Sequence, residues 1–283
     1  MPELPEVEVV RLGLAAVLPG RTVAAASVLH PRSVRRQPGG WQDFVAGLVG
    51  RVLGCPARRG KFLWVPLDET DALVAHLGMS GQFRLDRPGA ALPRNTRVVI
   101  RFEQDGPELR FVDQRMFGGL WLSPQGADAP AELAHIAPDL FDPELDLARL
   151  VARIRQRRRA IKRVLLDQSI VSGIGNIYAD EALWRARVHY DTPASSISPV
   201  KLCRLLEAAR TVMAEALAQG GTSFDALYVN VNGSSGYFSR SLSAYGQADR
   251  PCARCGRSIV REAFTNRSSY FCPRCQPRPR VRP

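Results

Sequence analysis

The sequence predicts an α+β protein in two halves. A mostly antiparallel β half follows one leading helix, and a helical half ends in a cysteine-bearing tail. Three observations predict it. Apolar residues recur at helical spacing near the start; alternating runs with turn signals extend to about residue 123; and a long amphipathic stretch, 199–219, precedes two Cys-x2-Cys knuckles. With 283 residues, 45% of them hydrophobic, the chain is long enough for two packed domains.

The elements follow in order. Val7, Val10, Leu14 and Val17 share one helical face, Pro5 suits a first turn and Pro19-Gly20 a stop, so a helix is expected over 5–18. From 21 to about 123 the pattern is that of strands. Val98, Ile100 and Phe102 alternate with Val99, Arg101 and Glu103, and Asp105-Gly106 marks a turn before a β-rich run from Leu109 to Leu122. A linker begins near Ser123. Helices are then expected over 143–155, 160–168, 177–186 and 199–219, the last with Leu202, Leu205, Leu206, Ala209, Val212, Met213, Ala216 and Leu217 as its stripe. Ser198 can cap it and Gly220-Gly221 end it. The expected division is 1–123, a linker 124–142, a helical domain 143–248 and a tail 249–283.

Charge is lopsided: 39 Lys plus Arg against 27 Asp plus Glu, a net of +12. The excess suits a polyanion, nucleic acid or an acidic membrane surface, or simply a solvated basic exterior. Its placement is uneven. Eight arginines but only one acid, Glu262, lie beyond Pro251, and Arg153, Arg155, Arg157, Arg158, Arg159, Lys162 and Arg163 precede a glycine-rich turn. The start, MPELPEVEVV, lacks the basic region and apolar core of a signal peptide, and no apolar run approaches the roughly 18–20 residues of a membrane span. A cytoplasmic protein without a membrane association is expected.

Cys252-x2-Cys255 and Cys272-x2-Cys275 are separated by sixteen residues, a spacing that lets four thiolates surround one tetrahedral Zn²⁺. A closed four-cysteine shell leaves no position for water, so the metal would be structural, folding a hairpin too small to bury a core of its own. Redox dithiols are the alternative. Cys55 and Cys203 sit in apolar contexts and are expected in the core.

Pro2 is small enough for the initiator methionine to be removed, which frees a secondary amine. An α-amino group titrates at roughly pH 7.7–8.0, so a useful fraction is unprotonated. Attack of such an amine on an aldehydic carbon gives an iminium, an electron sink that labilises neighbouring C–H and C–O bonds. Glu3 and Glu6 supply carboxylates for proton transfer. Taken alone, Pro2 and Pro5 are equally suited to starting a helix whose dipole the glutamates complement.

MPELPEVE at the start, GKFLW at 60–64, HLGMSG at 76–81, DQRMFGG at 113–119, GIGNIYADEALW at 173–184, GGTSF at 220–224 and the four-cysteine tail, in this order, resemble the formamidopyrimidine-DNA glycosylases of the Fpg/Nei superfamily. The resemblance covers essentially the whole chain. It implies an N-terminal helix and antiparallel β-sandwich, then a helix–two-turn–helix domain with a C-terminal four-cysteine zinc-finger β-hairpin. It further implies a monomer that works on damaged double-stranded DNA lying across the cleft between the domains, with the damaged base flipped out.

The resemblance also implies roles. Pro2 attacks C1′, Glu3 donates a proton that opens the sugar ring, Lys61 moves protons in β-elimination, and Arg267 contacts phosphate and assists δ-elimination. Met79, Arg115 and Phe117 match the residues that fill the void left by the flipped base; singly, Met79 and Phe117 would suit a core, but Met79 lies in a Gly-Met-Ser-Gly turn. Asn176 opens a helix where amides form a phosphate site, or it is simply an N-cap. Arg158 stands where relatives often have a DNA-contacting lysine. Asn95, in Pro93-Arg94-Asn95-Thr96-Arg97, stands where many have a histidine that touches the backbone. The 222–236 segment would cover the extruded base. Two alternatives remain at this stage: an endonuclease VIII-like enzyme for oxidised pyrimidines, and a non-catalytic zinc-dependent DNA-binding homologue.

Overall fold

The computed structural model describes residues 2–221 and 241–279. They fall into two compact units, one of residues 2–135 with 220–221 and one of 136–219 with 241–279.

In the first unit α1 (Leu4–Ala15) carries Pro5 in its first turn and buries Val7, Val10 and Leu14. Strands β1 (Val23–Val28), β6 (Thr96–Phe102), β7 (Glu108–Asp113) and β5 (Gly81–Asp86) form one antiparallel sheet in the order β1-β6-β7-β5. Strands β2 (Ala57–Arg59), β3 (Phe62–Leu67), β4 (Asp71–His76) and β8 (Gly119–Ser123) form the second, in the order β2-β3-β4-β8. Val98, Ile100, Leu109 and Phe111 of the first sheet share a core with Leu63, Val65, Leu73 and Ala75 of the second and with the apolar face of α1. Two sheets with a common core make a β-sandwich.

Three expectations need correction here. The strands expected from 21 to about 123 are interrupted by α2 (Gly40–Ala46); Gly39 and Gly40, at φ +76° and +80°, turn the chain into it and Phe44 anchors it in the core. The run from Leu109 to Leu122 is two strands, parted where Met116 takes a left-handed φ of +52°. Cys55 is exposed in an irregular stretch between the buried Leu53 and Pro56; Cys203, beside the buried stripe of its helix, is half-buried.

The second unit contains α3 (Leu147–Arg155), α4 (Ile161–Leu165), α5 (Asn176–Arg185) and α6 (Pro199–Ala218), then a hairpin of β9 (Val260–Phe264) and β10 (Arg267–Phe271). Helix α3 starts later than the expected 143 because the Asp146 carboxylate accepts the Arg149 amide and caps it there. Ser198 caps α6, which buries Leu202, Leu205, Leu206, Ala209, Val212, Met213 and Ala216. Helix α5 packs against both α6 and β10. Among the described residues no helix is long and apolar enough to cross a membrane. The covering segment expected over 222–236 lies outside the described residues.

Candidate active site and nucleic-acid interface

Pro2 and Glu3 are both buried immediately before α1, and the Glu3 amide donates to Glu6 Oε2 at 2.8 Å. Glu3 is only 2% exposed, so a carboxyl group is held out of bulk water one residue from the Pro2 nitrogen. Gly221, at φ +86°, lies against Glu6; an added Cβ would sit 3.2 Å from its Cγ. The close approach explains the need for glycine at that place in GGTSF.

Lys61 stands at the β2–β3 turn and is 8% exposed. The turn is tied to α1 by Arg58, which donates through Nε to Glu8 Oε2 at 2.9 Å and through Nη1 to the Gly60 carbonyl at 2.9 Å. Burial pushes the Glu8 carboxyl up, but hydrogen bonds and charge from Arg11 and Arg58 outweigh it and hold the group below its ordinary value. Glu8 and Arg58 thus fix the helix that follows Glu3 relative to the turn that carries Lys61. Sequence reasoning passed over both, since a glutamate and an arginine fifty residues apart carry no local signal.

His76 was also missed. It pairs with Phe62 across β3 and β4, its ring 4.6 Å from that of Phe62, and its Nδ1 accepts the Gly78 amide at 3.2 Å. Burial first, then the charges of Arg36, Lys61 and Arg35, bring its pKa down to about 4. A neutral imidazole among three cations marks a surface of positive potential, the kind that accepts an anion.

The three wedge candidates come from two segments that meet. Met79 and Phe117 are 38% and 46% exposed, and the Arg115 guanidinium carbon lies 5.4 Å from the Phe117 ring centroid. Gly78, at φ +62°, touches the second segment so closely that a Cβ there would lie 2.4 Å from the Gly118 nitrogen. Asn95 is tied to the neighbouring strands: its Oδ1 accepts from Arg97 Nη2 of β6 at 3.1 Å and its carbonyl accepts the Asp113 amide of β7 at 2.9 Å.

In the second unit, Asn176 is the first residue of α5, with Gly175 rather than Asn176 as the N-cap. Its Nδ2 donates to the Ser268 carbonyl of β10 at 3.1 Å. The same carbonyl accepts from Lys162 Nζ at 3.0 Å, and Lys162 also bonds Ser269 Oγ at 2.9 Å and Asp180 Oδ1 at 2.7 Å. This wholly buried pair clamps the hairpin, since Asp180 Oδ2 accepts the Tyr270 amide at 3.0 Å. Arg267 begins the clamped strand and is exposed; with Arg159, Arg163 and Thr265 it lines an open cavity of about 310 Å³. Arg158 is exposed within the basic run. The sequence showed Lys162 only as one charge among many, and nothing local distinguishes it.

The Sγ atoms of Cys252, Cys255, Cys272 and Cys275 lie within 4.8 Å of one another, with 3.4 Å from Cys255 to Cys272 and 3.6 Å from Cys255 to Cys275. A tetrahedral Zn²⁺ with Zn–S bonds of about 2.3 Å needs sulfurs about 3.8 Å apart, so the set fits. Four sulfurs with no oxygen donor favour zinc over a hard cation. Cys252 and Cys272 pack with Trp184, Ala244 and Ile259, so metal and core are continuous.

A β-sandwich behind a helix with a buried N-terminal carboxyl, and a helical unit with a four-cysteine hairpin, define the architecture of a zinc-dependent DNA glycosylase. Three family models match: the formamidopyrimidine-DNA glycosylase N-terminal domain over residues 1–120, its H2TH domain over 136–226, and a zinc finger found in FPG and IleRS over 250–278. The chain belongs to the formamidopyrimidine-DNA glycosylase family. It is 59% identical to the enzyme of that name from Salinispora arenicola over 281 residues, covering 99% of this chain and 98% of that one. With the one from Acidothermus cellulolyticus the identity is 58%, covering 99% of each. Among solved structures, a mutant FPG of Lactococcus lactis in complex with a Fapy-dG containing DNA superposes with a TM-score of 0.90 at 30% identity, covering 98% of this chain and 100% of that one. The Lactococcus lactis Fpg with abasic-site DNA gives 0.88 at 29%, with the same coverage. The four cysteines hold one structural zinc.

Proposed function

We propose that the protein is a base-excision repair enzyme that removes oxidised purines, 8-oxoguanine and formamidopyrimidines, from duplex DNA and then cuts the strand. The carrying observation is the buried Pro2–Glu3 pair at the head of α1, in a chain 59% identical to a named formamidopyrimidine-DNA glycosylase.

Loss of Met1 makes the Pro2 nitrogen a secondary amine. That nitrogen forms a bond to C1′ as the glycosidic bond breaks and the base departs, while Glu3 protonates the ring oxygen so the sugar opens to an iminium. The iminium acidifies C2′; its proton passes by way of Lys61 as the C3′–O bond breaks. Arg267, holding phosphate, assists the second elimination at C5′, and a one-nucleotide gap remains. Met79, Arg115 and Phe117 fill the space the base has left. Asn176 and Arg158 hold the backbone, with Asn95 at the rim. In this division residues 1–123 carry Pro2, Glu3 and Lys61, 143–248 and the zinc finger 249–283 grip the duplex and supply Arg267, and 124–142 joins them. The protein acts as a monomer in the cytoplasm, on the nucleoid.

The test is borohydride trapping. Mature protein is incubated with duplexes carrying 8-oxoguanine or an oxidised pyrimidine, and a covalent adduct on the purine duplex is expected. No adduct on either sinks the enzyme, and an adduct on the pyrimidine alone transfers it to the endonuclease VIII type.

A further inference from the structure

We propose that Ser80, Asp113 and Arg35 are positioning residues that lock Met79, Arg115 and Phe117 into one rigid wedge, and that this lock sets the discrimination between bases opposite the lesion. The proposal rests on the glycosylase function above.

The two wedge segments are more than thirty residues apart in sequence, yet one carboxylate joins them. Asp113 Oδ1 accepts from Ser80 Oγ at 2.5 Å and Asp113 Oδ2 accepts the Gly118 amide at 2.8 Å. Ser80 Oγ in turn accepts the Arg115 amide at 2.9 Å. A hydroxyl donates and accepts at once, so Ser80 links the Met79 turn to Asp113 and Arg115, and Asp113 carries the link on to Gly118. From the other side Arg35 donates through Nη2 to the Phe117 carbonyl at 3.0 Å and through Nη1 to the Gly118 carbonyl at 2.8 Å. A planar guanidinium spanning consecutive carbonyls fixes the orientation of that backbone as a lysine could not.

The braced segment holds Met116 at φ +52°, a conformation disfavoured for a residue with a side chain. The turn it makes brings the Arg115 guanidinium over the Phe117 ring. Asp113 is 1% exposed while the side chains it serves project outward. A buried brace under an exposed tip is how a site is held ready before its ligand arrives, so that binding does not have to order it. A guanidinium with fixed donors distinguishes one orphaned base from another; a mobile one does not.

The test uses full-length, zinc-loaded protein with Ser80→Ala, Ser80→Thr and Arg35→Gln. Wedge insertion is read from the fluorescence of 2-aminopurine opposite a tetrahydrofuran site, a signal that needs no catalysis. Selectivity is read as the ratio of single-turnover excision rates with cytosine and adenine opposite 8-oxoguanine. Ser80→Ala and Arg35→Gln should each weaken the insertion signal and move the rate ratio at least tenfold toward one, at a Tm that leaves the protein folded. Ser80→Thr, which keeps the hydroxyl, should restore both. Wild-type insertion and an unchanged ratio in both Ser80→Ala and Arg35→Gln would overturn the proposal. A wild-type protein that inserts but excises nothing would refute the enzymatic function, while the fluorescence of the variants would still decide the brace.

Discussion

Replacing Lys162 by methionine would remove the ammonium that clamps the zinc hairpin, and the structure gives the size of the effect. Lys162 and Asp180 are 0% and 1% exposed and 2.7 Å apart. Burial drives the Asp180 carboxyl from 3.8 up to about 7, against the pull of Lys162 itself. Removing Lys162 takes that pull away and strands the carboxylate, which in a buried pair costs roughly 3–5 kcal/mol. The sign sets the pH dependence. A carboxyl whose folded pKa lies above its unfolded one carries no penalty below the unfolded value, and stability is lost as pH rises through the folded one. Lys162→Met should therefore cost about 3–5 kcal/mol at pH 8 and markedly less at pH 5, measured by denaturant unfolding of the zinc-loaded protein. Lys162→Met combined with Asp180→Leu should recover most of the loss. A cost under about 1 kcal/mol at pH 8, or the same cost at both pH values, would refute the clamp.

Gly78→Ala should destabilise far more than Gly20→Ala. Both have positive φ, but the new Cβ meets the backbone of Phe117 and Gly118 in the first and nothing within 4 Å in the second; equal melting temperatures would contradict the contact. His76, with its pKa lowered to about 4, is neutral in the fold but protonates in the unfolded chain, so stability should fall as pH drops from 6.5 toward 4, by up to about 3 kcal/mol. His76→Asn should flatten that part of the Tm–pH curve, and a curve unchanged by the substitution would mean the imidazole is not shielded. Chelation should release one zinc per chain and change the emission of Trp184, which packs on Cys252; release without any spectral or thermal change would show that the metal does not fold the hairpin.

The zinc set was legible because metal geometry demands two close pairs of thiolates, and close pairs are local in sequence. The helix at the start and α6 were legible for the same reason, since a 3.6-residue period and a Ser198 cap act over a few residues. The proposed nucleophile Pro2 and the proposed wedge could be suggested by motif, but not their supports. Asp113 reaches Ser80 across thirty-three positions, Arg58 reaches Glu8 across fifty, and Lys162 reaches Ser268 across 106. Each is an ordinary charged residue until the chain folds. The amino-acid sequence by itself determined which groups can do chemistry, because reactivity and ligation belong to residue types at short spacing. Only the tertiary structure decided which groups are held still, because a buried hydrogen bond or ion pair exists only when distant segments close around it and exclude water.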